Sequence, residues 1–446
     1  MKIKFLGAAG TVTGSGYLVT SNSGQQLLVD LGMFQGPPQV EDLNYQPLEL
    51  DARMLSGVIL THAHLDHCGR LPILERLGFS SDIFMTAPTS ELTHLTLLDS
   101  AKIAAEDHPQ DVLYDQNNVR SLFNRFKTVS YDHPFILGDF QVIFRDAGHI
   151  LGSASIELAV DGQTLVFSGD LGNTPEDLTK PTQFIRSADV VVMESTYGGR
   201  THPEGEASDL IRAEINAVEK TGGVLLIPAF SLERTQELLH IISHLKSKNL
   251  VRPQLMVYMD SPMAQKATSI YKRYQSFMNN EIKKDFQASD PFNFPGLVVV
   301  ESRQESMSLD HSGGPKVIIA GGGMMTGGRI VGHAKTFLSR DSTRLTIVGY
   351  QGEGTLGREL AFGAKEVVID GDKVPVKATI TDIQVMSSHA DENQLVNWLR
   401  QISGVRKLIL THGEDVPRRD LAEKITKTLN LSDISLPDLN QELEIG

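Results

Sequence analysis

The sequence predicts an α/β protein with two kinds of sheet. Short apolar or alternating runs, punctuated by Gly, Ser and Asn, fill about the first 200 residues. From about Gly205 onward, buried-type strand runs alternate with helical segments, the pattern of a parallel sheet covered on both faces. A block of metal-binding side chain types follows directly on one early strand run, which places the chemistry at a strand end.

Taken in order, residues 2–6, 16–20 and 26–30 read as strands, and so do residues 55–60, followed at once by THAHLDHCGR. Residues 90–106 read as a helix, with Leu92, Leu95, Leu98 and Ile103 at helical spacing. Strands return at 140–144, 154–160, 164–168 and 190–194. The second pattern contributes runs at 224–228, 254–259, 316–320 and 345–349. Near Val374 the text shifts again, to a short helix over 391–400 and a strand at 407–410 that ends in THGE.

Composition narrows the setting. No run approaches the roughly 18 apolar residues of a spanning helix, and MKIKFLGAAG lacks the apolar core of a signal peptide, so a membrane is not expected. Cys68 is the single cysteine, which excludes an intrachain disulfide and fits a reducing cytoplasm. The net charge of −14 argues against nonspecific binding to nucleic acid. A basic cleft or bound cations would alter that locally, so composition leaves the substrate open.

The densest signal is His62-Ala63-His64-Leu65-Asp66-His67. In an extended backbone His62 and His64 project to one side and suit one metal, and a turn can redirect Asp66 and His67 toward a second. Imidazole with carboxylate suits Zn²⁺, with Mn²⁺ as a competitor. Further donors stand where strands end in turns: His149 in DAGHILGS, Asp170 in VFSGDLG, His389 in SSHADE and His412 in LILTHGE. The bland alternative, unrelated core or surface histidines, fits poorly with so many in matching contexts.

HAHLDH followed by AGHILGS, SGDLG, ESTYGGR, SSHAD and THGE resembles the metallo-β-lactamase superfamily. More narrowly it resembles the β-CASP nucleases, which include ribonucleases similar to the catalytic subunit of the eukaryotic cleavage and polyadenylation factor. The resemblance runs from residue 2 to about residue 414, with each motif in order. It implies an αββα sandwich from residues 1–204 and 375–446, with a β-CASP cap domain over 205–374. It further implies one metal on His62, His64 and His149, a second on Asp66, His67 and His412, and Asp170 bridging them. Asp30, in LLVDLG, is expected to orient the HAHLDH loop from behind the ligands. Glu194 and His389 match two further motifs, with His389 as proton donor to the leaving oxygen and Glu194 holding it charged. Asp66, Asp170, Glu194 and His389 are thus the expected catalytic set. A histidine at the position of His412 goes with RNA substrates in this family.

Phosphodiester hydrolysis suits these parts, because two metals about 3.5–4 Å apart can hold a hydroxide and clamp phosphate oxygens. In the inserted segment, PAFSLERTQELL places Ser231 as a candidate helix cap and Arg234 in the first turn. Cations are poorly placed at that end of a helix, so Arg234 is expected to reach an external phosphate; the alternative is an internal pair with Glu233 or Glu237. AGGGMMTGGRI offers Gly327 and Gly328, with Arg329 and His333, as further phosphate contacts by resemblance. Residues 260–263 and 354–357 also look familial, without a sharp role.

Three features read as decoys. Gly352, Gly354 and Gly357 match a dinucleotide fingerprint but lie late in the cap. His240 and His244 stand one helical turn apart, with Ile241 where a zinc protease would place glutamate, so a surface or packing role is expected. Cys68 beside His67 reads as a small buried thiol. The expected activity is hydrolysis of single-stranded RNA, internally and with 5′–3′ exonucleolytic trimming left open, and a homodimer is compatible with it. The rivals are a small-molecule metallohydrolase of thioesterase or lactonase type and a noncatalytic RNA-binding scaffold.

Overall fold

The computed structural model describes residues 1–107, 112–174 and 177–446. The chain divides into two compact units, Met1–Thr201 with His389–Gly446, and His202–Ser388.

Among the described residues, the first unit holds two seven-stranded sheets. One runs, in spatial order, Glu442–Glu444, Lys2–Gly7, Gly16–Thr20, Gln26–Val29, Leu55–Ile59, Ile83–Thr86 and Phe126–Val129. The other runs Ile434–Ser435, Lys407–Leu410, Val190–Met193, Gln163–Phe167, Ala154–Val160, Phe140–Asp146 and Phe135–Leu137. Strand alternation explains how they pack. Ile3, Phe5, Tyr17, Val19, Leu27 and Val29 face one way and share a core with Phe144, Ile156, Leu158 and Phe167 of the second sheet. Leu6, Leu18 and Leu28 face the other way, into a core completed by Leu71, Leu97 and Leu122 from helices. The outer face of the second sheet, through Val191, Met193 and Leu408, packs on Leu395 and Leu399 of the helix Glu392–Arg400 and on Leu421 and Ile425 of the helix Asp415–Leu429. The layers are therefore helix, sheet, sheet, helix, the αββα sandwich the resemblance implies.

The second unit is built on a six-stranded sheet in the order Leu297–Val299, Met256–Asp260, Lys316–Gly321, Val224–Ala229, Thr343–Ile347 and Thr379–Asp382. Every pairing in it is parallel. Val224–Ala229 is buried at each position, as a central parallel strand flanked by helices requires. Thr379–Asp382 pairs with Thr343–Ile347, so the unit's sheet extends past residue 374, where the sequence places the end of the inserted domain. Among the described residues no helix is long and apolar enough to cross a membrane.

Candidate metal centre

Parallel pairing of Gln163–Phe167 with Val190–Met193, and of that strand with Lys407–Leu410, delivers Asp170, Glu194 and His412 to the same edge of the sheet. His62 leaves Leu55–Ile59 at the first sheet, and His149 lies in the turn between Phe140–Asp146 and Ala154–Val160. Two groups of donors result. His62, His64, His149 and Asp170 form one, and Asp66, His67 and His412 form the other.

The atoms facing one another are specific. His64 Nδ1 lies 3.1 Å from both His62 Nε2 and His149 Nε2. Asp170 Oδ2 lies 3.4 Å from His62 Nε2 and 3.6 Å from His149 Nε2. Its other oxygen, Oδ1, lies 3.2 Å from His67 Nε2 and 3.6 Å from His412 Nε2, and Asp66 Oδ2 is 3.4 Å from the latter. Both Asp170 oxygens are buried and accept no hydrogen bond, a costly state for a carboxylate unless cations sit between it and the imidazoles. The donor set therefore fits divalent metal ions. Burial drives His62 well below its ordinary pKa and His64 down to about 4, so both rings are neutral near pH 7 with lone pairs available.

Neighbours fix the far side of several rings. Asp30 Oδ2 lies 2.8 Å from His67 Nδ1 and also accepts the Thr61 hydroxyl, while its Oδ1 accepts the Thr61 backbone N–H. With its Nδ1 held on Asp30, His67 presents Nε2 to Asp170, and these two carboxylates outweigh burial and raise the ring's pKa well above its ordinary value. Thr196 Oγ1 lies 3.0 Å from His412 Nδ1. His389 Nδ1 is 3.3 Å from Glu194 Oε2, and Glu194 Oε1 accepts the backbone N–H of Leu171, next to Asp170. The Ala390 N–H donates to the Leu171 carbonyl, so the backbone at 170–172 and 389–390 is stitched together.

No sequence signal announces the platform beneath the loop. Leu31 and Met33 donate their N–H groups to the carbonyls of His67 and Leu65, and Ser15 N–H donates to Asp66 O. Arg70, buried, donates to the carbonyls of Gly32, Leu6 and Gly14 and lies over the Phe34 ring. A Cβ on Gly32 would stand 1.5 Å from Asp66 O and 2.0 Å from Asp66 C, both backbone atoms. Gly32→Ala is therefore expected to displace the Asp66 turn, costing about 1–3 kcal/mol of stability and lowering metal occupancy. Denaturant midpoints and elemental analysis check it, and an unchanged metal content would dismiss the platform role. Cys68 is buried, with its Sγ 3.5 Å from the Ala63 carbonyl, and it belongs to neither donor group.

Residues 9–210 match the metallo-beta-lactamase superfamily, 235–360 the Beta-Casp domain and 373–437 the Zn-dependent metallo-hydrolase RNA specificity domain. A protein from Thermus thermophilus named Ribonuclease TTHA0252 is 37% identical over 93% of this chain and 94% of its own length. The chain belongs to the β-CASP family of the metallo-β-lactamase superfamily. An RNase J-like protein from Methanocaldococcus jannaschii is 31% identical over 96% of each chain. A protein from Methanosarcina mazei named Transcription termination factor FttA is 29% identical over 98% of this chain and 71% of its own. The crystal structure of a protein of unknown function from Enterococcus faecalis superposes with a TM-score of 0.57, covering 99% of both chains at 10% identity, and so shares the fold.

Within the β-CASP unit the structure places the expected phosphate contacts differently from the sequence reading. The helix begins at Arg234, not after Phe230, and Glu233 precedes it at a φ of 64°. Ser231 does not cap it; its hydroxyl lies 3.1 Å from that of Ser261. Arg234 is 3% exposed, and its guanidinium turns back on Glu237 and donates to Ser388 Oγ at 2.7 Å. A guanidinium removed from water has to be paired, and the internal partner wins over an external phosphate in this arrangement. Arg329 pairs with Asp260, and His333 lies 2.8 Å from both Asp260 and Asp310, so both residues serve a buried network centred on Asp260. Of the six, Gly327 and Gly328 are exposed, and Gly328, at a φ of 80°, has the Gly321 carbonyl where a Cβ would stand.

Proposed function

We propose that this β-CASP protein is a metal-dependent ribonuclease that hydrolyses phosphodiester bonds of single-stranded RNA in the cytoplasm. One observation carries the reading: Asp170 turns its two oxygens toward two separate groups of imidazole nitrogens, in a chain whose relatives include proteins named ribonucleases. His62, His64 and His149 would hold one cation and Asp66, His67 and His412 the other, with Asp170 shared. The mixed histidine and carboxylate set suits Zn²⁺, and Mn²⁺ is the natural substitute. Bound there, the cations would supply charge neutralisation at the phosphoryl oxygens and a lowered pKa for water.

The chain's own residues do the remainder. Asp30 and Thr196 hold imidazoles in the tautomers that leave lone pairs on the cation side. Glu194 keeps His389 charged, and His389 hands its proton to the leaving oxygen. On the β-CASP unit, the open backbone at Gly327 and Gly328 is the proposed phosphate contact, with Ser231, Arg234, Arg329 and His333 buttressing that surface through Ser261, Glu237 and Asp260.

A 5′-labelled single-stranded RNA, the matching DNA and a small thioester, assayed side by side, test the proposal. RNA is expected to give a metal-dependent ladder that a chelator abolishes, with far less turnover of DNA and thioester. The ladder also separates internal cutting from 5′–3′ trimming. Thioester turnover without RNA cleavage would reassign the centre to small molecules, and RNA binding without cleavage by the metal-loaded protein would make the chain a scaffold.

A further inference from the structure

The helix Arg234–Ser247 carries a second group of donors that the proposed reaction does not use. His240 and His244 lie one turn apart on one face, with ring centroids 4.3 Å apart. Both point at a single carboxylate oxygen from a different helix, Asn280–Ala288: Asp285 Oδ2 is 2.8 Å from His240 Nε2 and 3.0 Å from His244 Nε2. The three donor atoms lie within 4.8 Å of one another, and all three residues belong to the unit His202–Ser388. From sequence the pair has a surface or packing role, with Ile241 where a zinc protease places glutamate; Asp285 stands 41 residues from His244, and no spacing rule connects them.

We propose that His240, His244 and Asp285 form a third divalent-metal site, taking Zn²⁺ or a neighbouring late transition-metal ion, and that it clamps the two helices together. Two imidazoles and one carboxylate converging on a point are a sufficient protein share of a tetrahedral shell, with water completing it. Access is open on one side: His240 is buried, whereas the side chains of His244 and Asp285 are 42% and 33% exposed. With more imidazole than carboxylate, the site ranks Ni²⁺ and Zn²⁺ well above Mn²⁺. Ile241, buried, stands where a zinc protease carries its general base, so the role is structural rather than hydrolytic. A clamp has a purpose here, because only Ile282 of the nine residues of the helix Asn280–Ala288 is fully buried, with Phe286 half-buried against Phe292.

The test compares the full-length wild type with His244→Ala and Asp285→Asn after dialysis against micromolar free Zn²⁺. Elemental analysis is expected to find one Zn²⁺ per chain fewer in each variant, with RNA cleavage unchanged. Added Zn²⁺ should raise the melting temperature of the chelator-stripped wild type several degrees more than that of either variant. Equal zinc content in all three proteins overturns the proposal, as does an equal melting shift, since a triad held only by protons would lose the same stability with and without the ion. Asp285→Asn keeps the shape of the side chain and guards against a misfolded alanine variant. The proposal stands or falls independently of the ribonuclease reading, because zinc is counted whether or not RNA is cut.

Discussion

Asp170→Ala is expected to release both catalytic-centre cations and to lower RNA cleavage by at least a factor on the order of 10³. The side chain faces both donor sets, Oδ1 toward His67 and His412 and Oδ2 toward His62 and His149. Its loss leaves four imidazoles around a void, and binding a cation there would then face uncompensated positive charge. Burial opposes ionisation of Asp170, but its neighbours His412 and His67 outweigh it and hold the carboxyl well below the usual range. Neutral asparagine cannot replace that charge, so Asp170→Asn is expected to keep the fold and still lose metal. Elemental analysis, circular dichroism and cleavage of labelled RNA check the three statements. A folded Asp170→Ala protein that retained its metal would show that Asp170 does not bridge.

Much of this arrangement was legible in the sequence because strands with a two-residue period announce which residues leave at an edge. HAHLDH after 55–60, GDLG after 164–168 and THGE after 407–410 all put polar donors directly beyond apolar runs, and parallel pairing then stacks those ends. The inserted sheet was legible for a related reason, since buried parallel strands such as Val224–Ala229 read as continuous apolar runs. What escaped depends on contacts between residues far apart in the chain. PAFSLERTQELL leaves Arg234 a choice between an external phosphate and a pair with Glu233 or Glu237, and burial selects Glu237, with Ser388 as a partner no local spacing announces. Arg329 and His333 looked like a phosphate pair because Asp260, which captures both, lies 69 and 73 residues upstream. At Gly32 the Asp66 backbone passes where a Cβ would be, and nothing local to LLVDLG announces that approach.

His389→Ala is expected to leave both cations in place while lowering kcat by about 10²–10⁴-fold, the range for losing a positioned proton donor. His389 is absent from both principal donor groups and instead joins Glu194 beside Asp170, which is why metal content and turnover should separate. Burial lowers the ring's pKa, but the charge and hydrogen bond of Glu194, with the carboxylates of Asp170 and Asp66, more than offset it and raise it to about 9. A donor must hold its proton, so the sign is fixed: activity persists through neutral pH and falls as pH rises through about 9. Glu194→Gln removes the largest stabiliser of the charged ring, so the alkaline fall should move to lower pH with metal content unchanged. The pH profile of kcat for wild type and Glu194→Gln separates proton donation from mere packing, because a packing role would lower kcat uniformly without moving the profile. An alkaline limb that stays in place after Glu194→Gln would remove His389 from the reaction.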